Sequence, residues 1–405
     1  MSLHEKQVSS QALEPKSDVK YREKKPKRKS KHDSKYVLII HGGAGTMLRE
    51  GSTPEKQAMY KAALSEALKK GYEVLKNGGE SMDAAVAAVA SMEDCPLFNS
   101  GKGAVFNVAG KIELETSLMV SKPPSSHPQI PSSRRGTSLT LLTRARNPSH
   151  LARALYLAPD LAPHPMLSGS AAETLGAEHL GVDIVDPSYF WTEARWREHR
   201  RGLGLPEEPV QYPRPHSPES LAGSTTDVES VDEKWTPLDL MPTGTVGAVA
   251  LDVRGCITAV TSTGGRTNKL VGRVGDTPVM GCGFWAEEWH RKGGWVKRIW
   301  NRFRGKGKAQ GVGVSGTGDG DYFIRQAAAS TIARRMQFLH EPVGKAADRV
   351  VKDLFQDGGL GGVIALDIDG NVAFPLNCSG MYRGVIRPDG VAKTAIFDDD
   401  ELSPL

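Results

Sequence analysis

The sequence predicts a mixed α/β fold in which β-sheets are layered with helices. Three observations indicate this class: strand-like and helical patterns alternate along the chain, glycine-rich turns separate them, and two similar hairpins occur in the second half. The chain has 405 residues, of which 39% are hydrophobic and 44 are glycine. This size and balance are sufficient for a large core with many tight turns.

The chain is expected to consist of a disordered basic tail, residues 1–35, and a single domain, residues 36–405. The tail has eleven Lys/Arg against five Asp/Glu and very few apolar residues, so it cannot bury enough surface to offset the entropy of ordering. Its run KKPKRKSK at 24–31 is compatible with a nuclear-import signal, a nucleic-acid contact or a solvated tail. The solvated tail is the favoured interpretation, and nucleic acid is not expected as a partner.

Cysteine usage and the first residues indicate a cytoplasmic protein. The four cysteines have neither metal-ligand nor disulfide-scaffold spacing, and MSLHEKQVSSQ lacks the apolar core of a secretory signal. No run of eighteen apolar residues occurs. Nuclear entry through the basic tail is left open. No metal site and no cofactor are expected.

The first half of the domain begins with a buried strand and continues with helices. Residues 36–40, YVLII, are typical of a buried strand, and the glycines that follow indicate close approach of the backbone to another segment. Apolar spacing predicts helices at 54–75 and 82–92, the second capped by Ser81. The other elements expected here are strands at 111–120 and 137–143, a surface excursion at 121–135, and helices at 148–157, 170–179 and 188–200.

The second half follows a proline-rich stretch without periodicity, residues 202–241, which predicts a flexible linker. The sequences ALDVRGCITAV and ALDIDGNVAFP each predict a hairpin with a three-residue loop and glycine in the left-handed position. The elements expected after the linker are strands at 245–251 and 256–263, helices at 321–339 and 342–356, and two last strands at 362–367 and 371–376.

The first hairpin brings two threonines together. If its loop is 253–255, Asp252 pairs with Cys256, and Thr245 then faces Thr263 at the open end of the hairpin. This placement follows from turn geometry alone. Without further support, Thr245 would be interpreted as an ordinary edge-strand threonine.

The residue before Thr245 suggests how its hydroxyl is activated. A threonine nucleophile needs a base, and its own α-amine can serve once the preceding peptide bond is broken. Gly244 permits backbone angles closed to other residues, so the Thr245 hydroxyl can attack the Gly244 carbonyl. The Gly244–Thr245 bond is therefore a candidate site of self-cleavage.

The glycine-rich segments that follow supply candidate binding groups. Arg273 can hold a carboxylate and Asp276 an ammonium, which together would bind an amino-acid head group; alone they would be interpreted as a surface ion pair. The stretch VSGTGDGDYF at 314–323 can supply backbone N–H donors to an oxyanion or a phosphate. Because no Walker lysine follows, acyl transfer is preferred.

Six segments stand in an order and spacing that point to one family. They are HGGAG at 41, CPLFNSGKGAVF at 95, GTVGAVALD at 244, TSTGGRTNKLVGRVGDTP at 261, SGTGDGD at 315 and NCSGMYRG at 377. They resemble the plant-type L-asparaginase and isoaspartyl peptidase family of N-terminal-nucleophile hydrolases, whose relatives include glycosylasparaginase and taspase. The resemblance covers about residues 36–390. It implies an αββα four-layer sandwich, cut into an α subunit, 36–244, and a β subunit, 245–405, that assemble as α2β2.

The resemblance also implies roles for individual residues. Thr245 is the implied nucleophile, and Thr263 the second threonine that hydrogen-bonds it and aids self-cleavage. Arg273 would bind the substrate α-carboxylate and Asp276 its α-ammonium. The other implied site residues are Ser315 and Gly316 in the oxyanion hole, the Gly318 backbone along the substrate site and Asn99 near the scissile bond.

The implied reaction is hydrolysis of the side-chain amide of asparagine or of β-aspartyl peptides, without a cofactor. The backbone of residues 92–102 matches a family loop that wraps a structural sodium ion, although Lys102 stands where a small apolar residue is more usual. Two alternatives remain: a glycosylasparaginase-type amidohydrolase, or an unprocessed binding protein on the same fold that uses its basic tail and an insertion.

The insertion, about residues 287–310, reads EEWHRKGGWVKRIWNRFRGKGKAQ. On a helix, its aromatic and aliphatic residues share one face and its basic residues occupy the other. A lid packed near the active site is the favoured interpretation. Docking to an anionic membrane or an acidic partner is the alternative.

Overall fold

The fold is built on two β-sheets. The computed structural model describes residues 35–47, 49–208, 244–290 and 309–405. The strands are β1 (Val37–Gly45), β2 (Leu114–Val120), β3 (Gly136–Leu142), β4 (Met166–Ser168), β5 (Val246–Leu251), β6 (Ile257–Thr263), β7 (Phe284–His290), β8 (Ala309–Gly318), β9 (Gly361–Asp367), β10 (Val372–Ala373), β11 (Gly380–Ile386), β12 (Lys393–Phe397) and β13 (Ser403–Pro404). Within these ranges the larger sheet has the order β13-β12-β11-β1-β5-β6-β2-β3-β4, and the smaller has the order β10-β9-β8-β7.

Helices cover these sheets, so the predicted mixed α/β class is confirmed. The α-helices of the described ranges are α1 (Pro54–Lys76), α2 (Ser81–Glu93), α3 (Pro148–Leu157), α4 (Gly169–Leu180), α5 (Glu193–Gly202), α6 (Gly320–Gln326), α7 (Ala328–Phe338) and α8 (Val343–Gln356). One apolar core joins α1, α2 and α3 to the larger sheet, and another joins α7 and α8 to the smaller sheet. A third core contains residues of both sheets, among them Ile39 and Val249 from the larger and Phe284 and Ile364 from the smaller.

The hairpin of β5 and β6 has the predicted register. The two strands pair antiparallel from Val246 opposite Ser262 to Leu251 opposite Ile257. Gly255 closes the turn with a φ of 74°, as its left-handed position requires. Continuing the pairing by one residue at the open end places Thr245 opposite Thr263, as predicted.

Three predicted helices differ from the structure. The helix expected at 188–200 is a 3₁₀ turn, Pro187–Phe190, followed by α5, which begins at Glu193. Helix α2 begins at Ser81 itself, so Glu80 is the capping residue, and the Ser81 hydroxyl instead shares a hydrogen bond of 2.8 Å with that of Thr258. The helix expected at 321–339 is two helices, α6 and α7, because Ala327 adopts a φ of 47° between them.

Strands β7, β8, β11 and β12 are not predicted by the sequence pattern, and the strand expected at 371–376 shortens to Val372–Ala373. In β8 the many glycines suggest a loop. A Cβ atom on Gly313 would lie 2.5 Å from side-chain atoms of Val249 and Ile257 in the larger sheet. Glycine is therefore needed here because the two sheets pack closely, and this reason is invisible in local sequence.

Parts of the chain lie outside the described ranges, namely residues 1–34, 209–243 and 291–308, and residue 48. The disordered tail, most of the 202–241 linker and the amphipathic helix of the insertion therefore stay predictions. The ends of the predicted insertion are corrected, because residues 287–290 belong to β7 and residues 309–310 belong to β8. These two strands pair with each other. None of the described helices combines the length and apolarity needed to cross a bilayer. All four cysteines are free thiols.

Replacing Gly71 of α1 by alanine is expected to lower the free energy of unfolding by about 1–3 kcal/mol. A Cβ atom there would lie 2.5 Å from Leu38 Cδ2 and 2.6 Å from the Ala84 carbonyl oxygen, where α1 crosses α2 and β1. The matched control is Gly344→Ala in α8, where no atom lies within 4 Å of the added methyl group. This change should stabilise the protein by about 0.4–1 kcal/mol. Urea unfolding measures both, and equal effects would contradict the packing account.

Candidate active site

A pocket opens where the ends of β1, β6 and β8 and the start of β5 meet. Its lining brings together residues that are far apart in sequence. The predicted site residues on its wall are Gly244, Thr245, Thr263, Arg273, Asp276 and Gly318.

The two threonines lie almost buried at this pocket. The exposed fraction is 8% for Thr245 and 3% for Thr263. Because they stand opposite each other across the hairpin, their side chains project from the same face of the sheet. The Thr263 hydroxyl accepts a hydrogen bond from the Gly265 N–H at 2.9 Å. Its own proton remains for donation, which suits it to orient the Thr245 hydroxyl.

The residue before Thr245 packs backbone to backbone on the glycine-rich end of β1. A Cβ atom on Gly43 would lie 2.6 Å from the Gly244 Cα, and one on Gly244 would collide with the Gly43 Cα. Gly43 also has a φ of 120°, where side chains are strained, and β1 is bulged here against β11. This is the close backbone approach that the glycines after residue 40 predict.

A buried hydrogen-bond chain ends on the carbonyl of Thr245. His41 Nδ1 lies 2.8 Å from this carbonyl oxygen, and His41 Nε2 lies 2.7 Å from Ser315 Oγ. Burial lowers the pKa of His41 to about 3, so the imidazole is neutral at ordinary pH. Since a carbonyl only accepts, Nδ1 carries the proton and Nε2 accepts from Ser315. The Ser315 oxygen then accepts from the Thr261 hydroxyl at 2.7 Å.

The structure does not bring Ser315 or Gly316 to the pocket. The Ser315 hydroxyl is fully buried and donates to His41. The Gly316 N–H donates to the Gly283 carbonyl at 2.7 Å. Neither donor is free to meet an oxyanion, so the expected placement of the oxyanion hole at these two residues is corrected. The part of β8 that lines the pocket is Gly318, two residues further along the strand.

Arg273 and Asp276 form the charged end of the pocket, although the ion pair of Arg273 is with a third residue. Its Nη2 lies 2.9 Å from Asp321 Oδ1, and the side chains of Arg273 and Asp321 are 19% and 50% exposed. Asp276 is buried, and burial together with the charge of Glu115 raises its pKa to about 7. A cation placed beside Asp276 would favour its charged form.

Glu115 lines the same pocket and is fully buried. It stands opposite Thr263 in the β2–β6 pairing, and its Oε1 accepts from the Gly275 N–H at 3.0 Å. Its Oε2 has no hydrogen-bond partner among the described residues, and burial raises the pKa of this carboxyl. The buried carboxyl groups of Glu115 and Asp276 therefore lie on the same pocket wall as the Arg273 guanidinium.

Asn99 supports the threonine end of β6 from behind the pocket. Its Nδ2 donates to the Gly265 carbonyl at 2.7 Å, and its Oδ1 accepts from the Val105 N–H at 3.1 Å. Its own carbonyl accepts from the Gly264 N–H at 3.0 Å. Asn99 thus holds the two glycines that follow Thr263.

The loop at 92–102 curls around inward-facing carbonyls. A Cβ atom on Gly101 would collide with the Glu93 carbonyl oxygen, and one on Gly103 with that of Phe98. Oxygen atoms of this kind are the ligands that hard cations take. The Lys102 ammonium lies over the Tyr189 ring, 5.0 Å from its centroid. The carbonyl oxygens of Glu93 and Phe98 are thus of the chemical type that a sodium ion would take. Elsewhere in the described ranges, no cluster of three or more His, Cys, Asp or Glu residues could hold a metal ion.

Residues 34–290 and 307–396 match a protein-family model described as Asparaginase. This match covers most of the chain. The chain belongs to the asparaginase family. The resemblance found in the sequence is thereby confirmed, and the stretch that the family model passes over, residues 291–306, falls within the predicted insertion.

Three relatives match this asparaginase-family chain over nearly their whole length. The chain is 34% identical to the isoaspartyl peptidase of Salmonella typhimurium over 352 residues, which are 86% of this chain and 95% of the relative. It is 34% identical to the isoaspartyl peptidase of Escherichia coli over 351 residues, 86% of this chain and 92% of the relative. It is 32% identical to a plant-type L-asparaginase of Pyrobaculum calidifontis over 366 residues, 88% of this chain and 98% of the relative.

Sequence reasoning missed several residues in and around this asparaginase-family site, among them three polar ones: His41, Glu115 and Arg266. His41 begins the HGGAG segment, and Arg266 follows Thr263 by three residues, so both stand inside the segments that carry the resemblance. Glu115 lies in a strand whose pattern suggests only burial. No local signal marks any of the three, because their importance comes from what surrounds them in space.

Replacing His41 by glutamine is expected to make the free energy of unfolding fall less steeply as the pH is lowered. The pKa of His41 is depressed to about 3 in the folded state, against 6.5 when unfolded. As pH falls below 6.5, His41 therefore becomes protonated in the unfolded chain but not in the folded one. This lowers the free energy of unfolding by about 1.4 kcal/mol per pH unit. Urea unfolding of both proteins between pH 6.5 and 4 measures this slope. Identical slopes would contradict a neutral buried imidazole.

Proposed function

We propose that this chain is an L-asparaginase and isoaspartyl peptidase, which hydrolyses the side-chain amide of asparagine or β-aspartyl peptides through Thr245. One observation carries the proposal: Thr245 lies in the same pocket as Arg273 and Asp276, which suit the two charges of an amino-acid head group. The names of the relatives, isoaspartyl peptidase and L-asparaginase, agree with it.

The proposed nucleophile is produced by self-cleavage between Gly244 and Thr245. The contact between Gly244 and Gly43 and the bond from His41 to the Thr245 carbonyl hold both sides of this peptide. The Thr245 hydroxyl attacks the Gly244 carbonyl carbon, and the C–N bond breaks, which gives an ester and frees the α-amine of Thr245. Water then hydrolyses the ester, which releases the Gly244 carboxylate and regenerates the hydroxyl. The pKa of such an amine, near 8, is close to working pH, so it can act as the base.

In the proposed amidase reaction, the α-amine accepts the proton of the Thr245 hydroxyl as its oxygen attacks the substrate amide carbon. The amine then returns a proton to the leaving nitrogen, the C–N bond breaks, and ammonia or an amino acid departs. Water attacks the remaining aspartyl ester and releases aspartate. No cofactor takes part in these steps.

We place the oxyanion donors at Thr317 and Gly318. The Thr317 hydroxyl accepts from the Ala44 N–H at 3.1 Å, so its proton remains for donation, and Gly318 lines the pocket with a φ of 136°. Both residues follow directly on Ser315 and Gly316, whose donors are already engaged.

The finer architecture belongs to the same proposal. An αββα sandwich fits two sheets that share a core and carry helical cores on their other faces. We propose that cleavage gives α2β2, that the carbonyls of Glu93 and Phe98 would contribute to holding a structural sodium ion, and that the protein is cytoplasmic, with nuclear entry through the tail left open. Contact of the insertion, now bounded by residues 291–308, with an anionic membrane or an acidic partner also stays a proposal.

Activity on three substrates tests the proposed function. Asparagine, β-aspartyl-leucine and glycosyl-asparagine present the same head group with different leaving groups. Hydrolysis of the first two, with little of the third, is the expected result. Preferential cleavage of glycosyl-asparagine would instead identify a glycosylasparaginase-type enzyme, and no cleavage of any of them would refute the amidohydrolase.

A further inference from the structure

Arg266 occupies the mouth of the pocket. Its side chain is exposed and lines the cavity, whereas Arg273 and Asp276 on the same wall are largely buried. The residues suited to the amino-acid head group thus lie deeper than Arg266. A leaving group that points toward solvent extends toward the exposed part of the lining, to which Arg266 belongs.

The Arg266 guanidinium is unoccupied within the described ranges. It makes no hydrogen bond, ion pair or ring contact there, whereas Arg273 already pairs with Asp321 at 2.9 Å. The nearby Asp319 carboxylate, also on the pocket wall, accepts from the Leu360 N–H at 3.1 Å. Arg266 therefore presents, at the cavity entrance, a positive charge that is not paired with any described residue.

Backbone hydrogen bonds fix the main chain of Arg266 close in sequence to the proposed nucleophile's partner, Thr263. Gly265 has a φ of 76°, and its carbonyl accepts from Asn99 Nδ2 at 2.7 Å. The Arg266 carbonyl accepts from the Lys269 N–H at 3.2 Å, which closes the turn. Arg266 therefore lines the same pocket as Thr245 and Thr263 from a main chain that is held in place.

We infer that Arg266 binds the carboxylate of the leaving amino acid and so favours β-aspartyl dipeptides over asparagine as substrates. Asparagine releases ammonia, which offers nothing to a guanidinium. A β-aspartyl dipeptide releases an amino acid whose free α-carboxylate is the group that a guanidinium binds best. This inference rests on the proposed function of the site.

Three substrates separate this role from a general effect: asparagine, β-aspartyl-leucine and β-aspartyl-leucinamide, in which the leaving carboxylate is a neutral amide. Arg266→Gln is expected to lower kcat/KM about fivefold for β-aspartyl-leucine and to leave the other two within about twofold. Arg266→Lys, which keeps the charge, should retain much of the preference. Salt at 0.5 M should weaken it in the wild-type protein, because exposed charges are screened. Arg144→Gln, an exposed arginine outside the pocket, is the matched control.

Two outcomes would overturn the inference while leaving the proposed function intact: an equal loss on all three substrates in Arg266→Gln, or no change on any. If the wild-type protein cleaves none of the three, the proposed function falls, and the role of Arg266 falls with it. Circular dichroism of each variant confirms that the comparison is made between folded proteins.

Discussion

Thr245→Ala is expected to remain a single uncleaved polypeptide and to lose amidase activity by about 10⁴-fold or more. The substitution removes the hydroxyl that is proposed both to attack the Gly244 carbonyl and to act as the nucleophile of the mature enzyme. The wild-type protein should separate on a denaturing gel into fragments 1–244 and 245–405. Sequencing of the smaller fragment should then begin at Thr245.

Thr245→Ser is the matched control, since it keeps a hydroxyl at the same position. It should cleave, if slowly, and retain part of the activity. Thr263→Ala should slow cleavage without removing the nucleophile, because the proposed role of Thr263 is only to orient the Thr245 hydroxyl. A wild-type preparation that hydrolyses asparagine without any new terminus at Thr245 would disprove the proposed chemistry.

Arg273→Gln is expected to reduce kcat/KM for asparagine about 100-fold, roughly 3 kcal/mol, mostly through KM. The guanidinium is 19% exposed and is proposed to bind the substrate α-carboxylate, so its removal leaves that charge without a partner in the pocket. Steady-state kinetics on asparagine at fixed pH measures the change.

Asp321→Asn distinguishes substrate binding from a structural ion pair. Arg273 bonds to Asp321 at 2.9 Å, so a merely structural pair would be broken equally by either variant. If Arg273 binds substrate, Asp321→Asn should change KM by no more than a few-fold, because an exposed pair contributes about 0–1 kcal/mol. Equal losses in the two variants would count against the proposed role of Arg273.

Much of the site can be predicted from short stretches of sequence. The turn around Gly255 sets the register of one hairpin, and this register alone places Thr245 opposite Thr263. Arg273 and Asp276 are three residues apart in one loop, so their joint presence in the pocket also follows from local sequence.

Other features depend on atoms that are distant along the chain. Whether a hydrogen-bond donor of β8 is free depends on its partners. The Ser315 hydroxyl donates to His41 and the Gly316 N–H donates to Gly283, so the residue of this strand that lines the pocket is Gly318. The raised pKa of Asp276 likewise reflects its burial and the charge of Glu115 on a different strand.

The sequence by itself determined the α/β class, the facing threonines and the family, because turn geometry, periodicity and short motifs act over a few residues. Only the tertiary structure decided which glycine meets Gly244, which hydroxyls are already bonded, and that Arg266 stands unpaired at the mouth of the pocket among the described residues. These properties depend on packing, on which hydrogen-bonding groups already have partners, and on nearby charges. All three involve residues that are distant in sequence and become neighbours only in the folded protein.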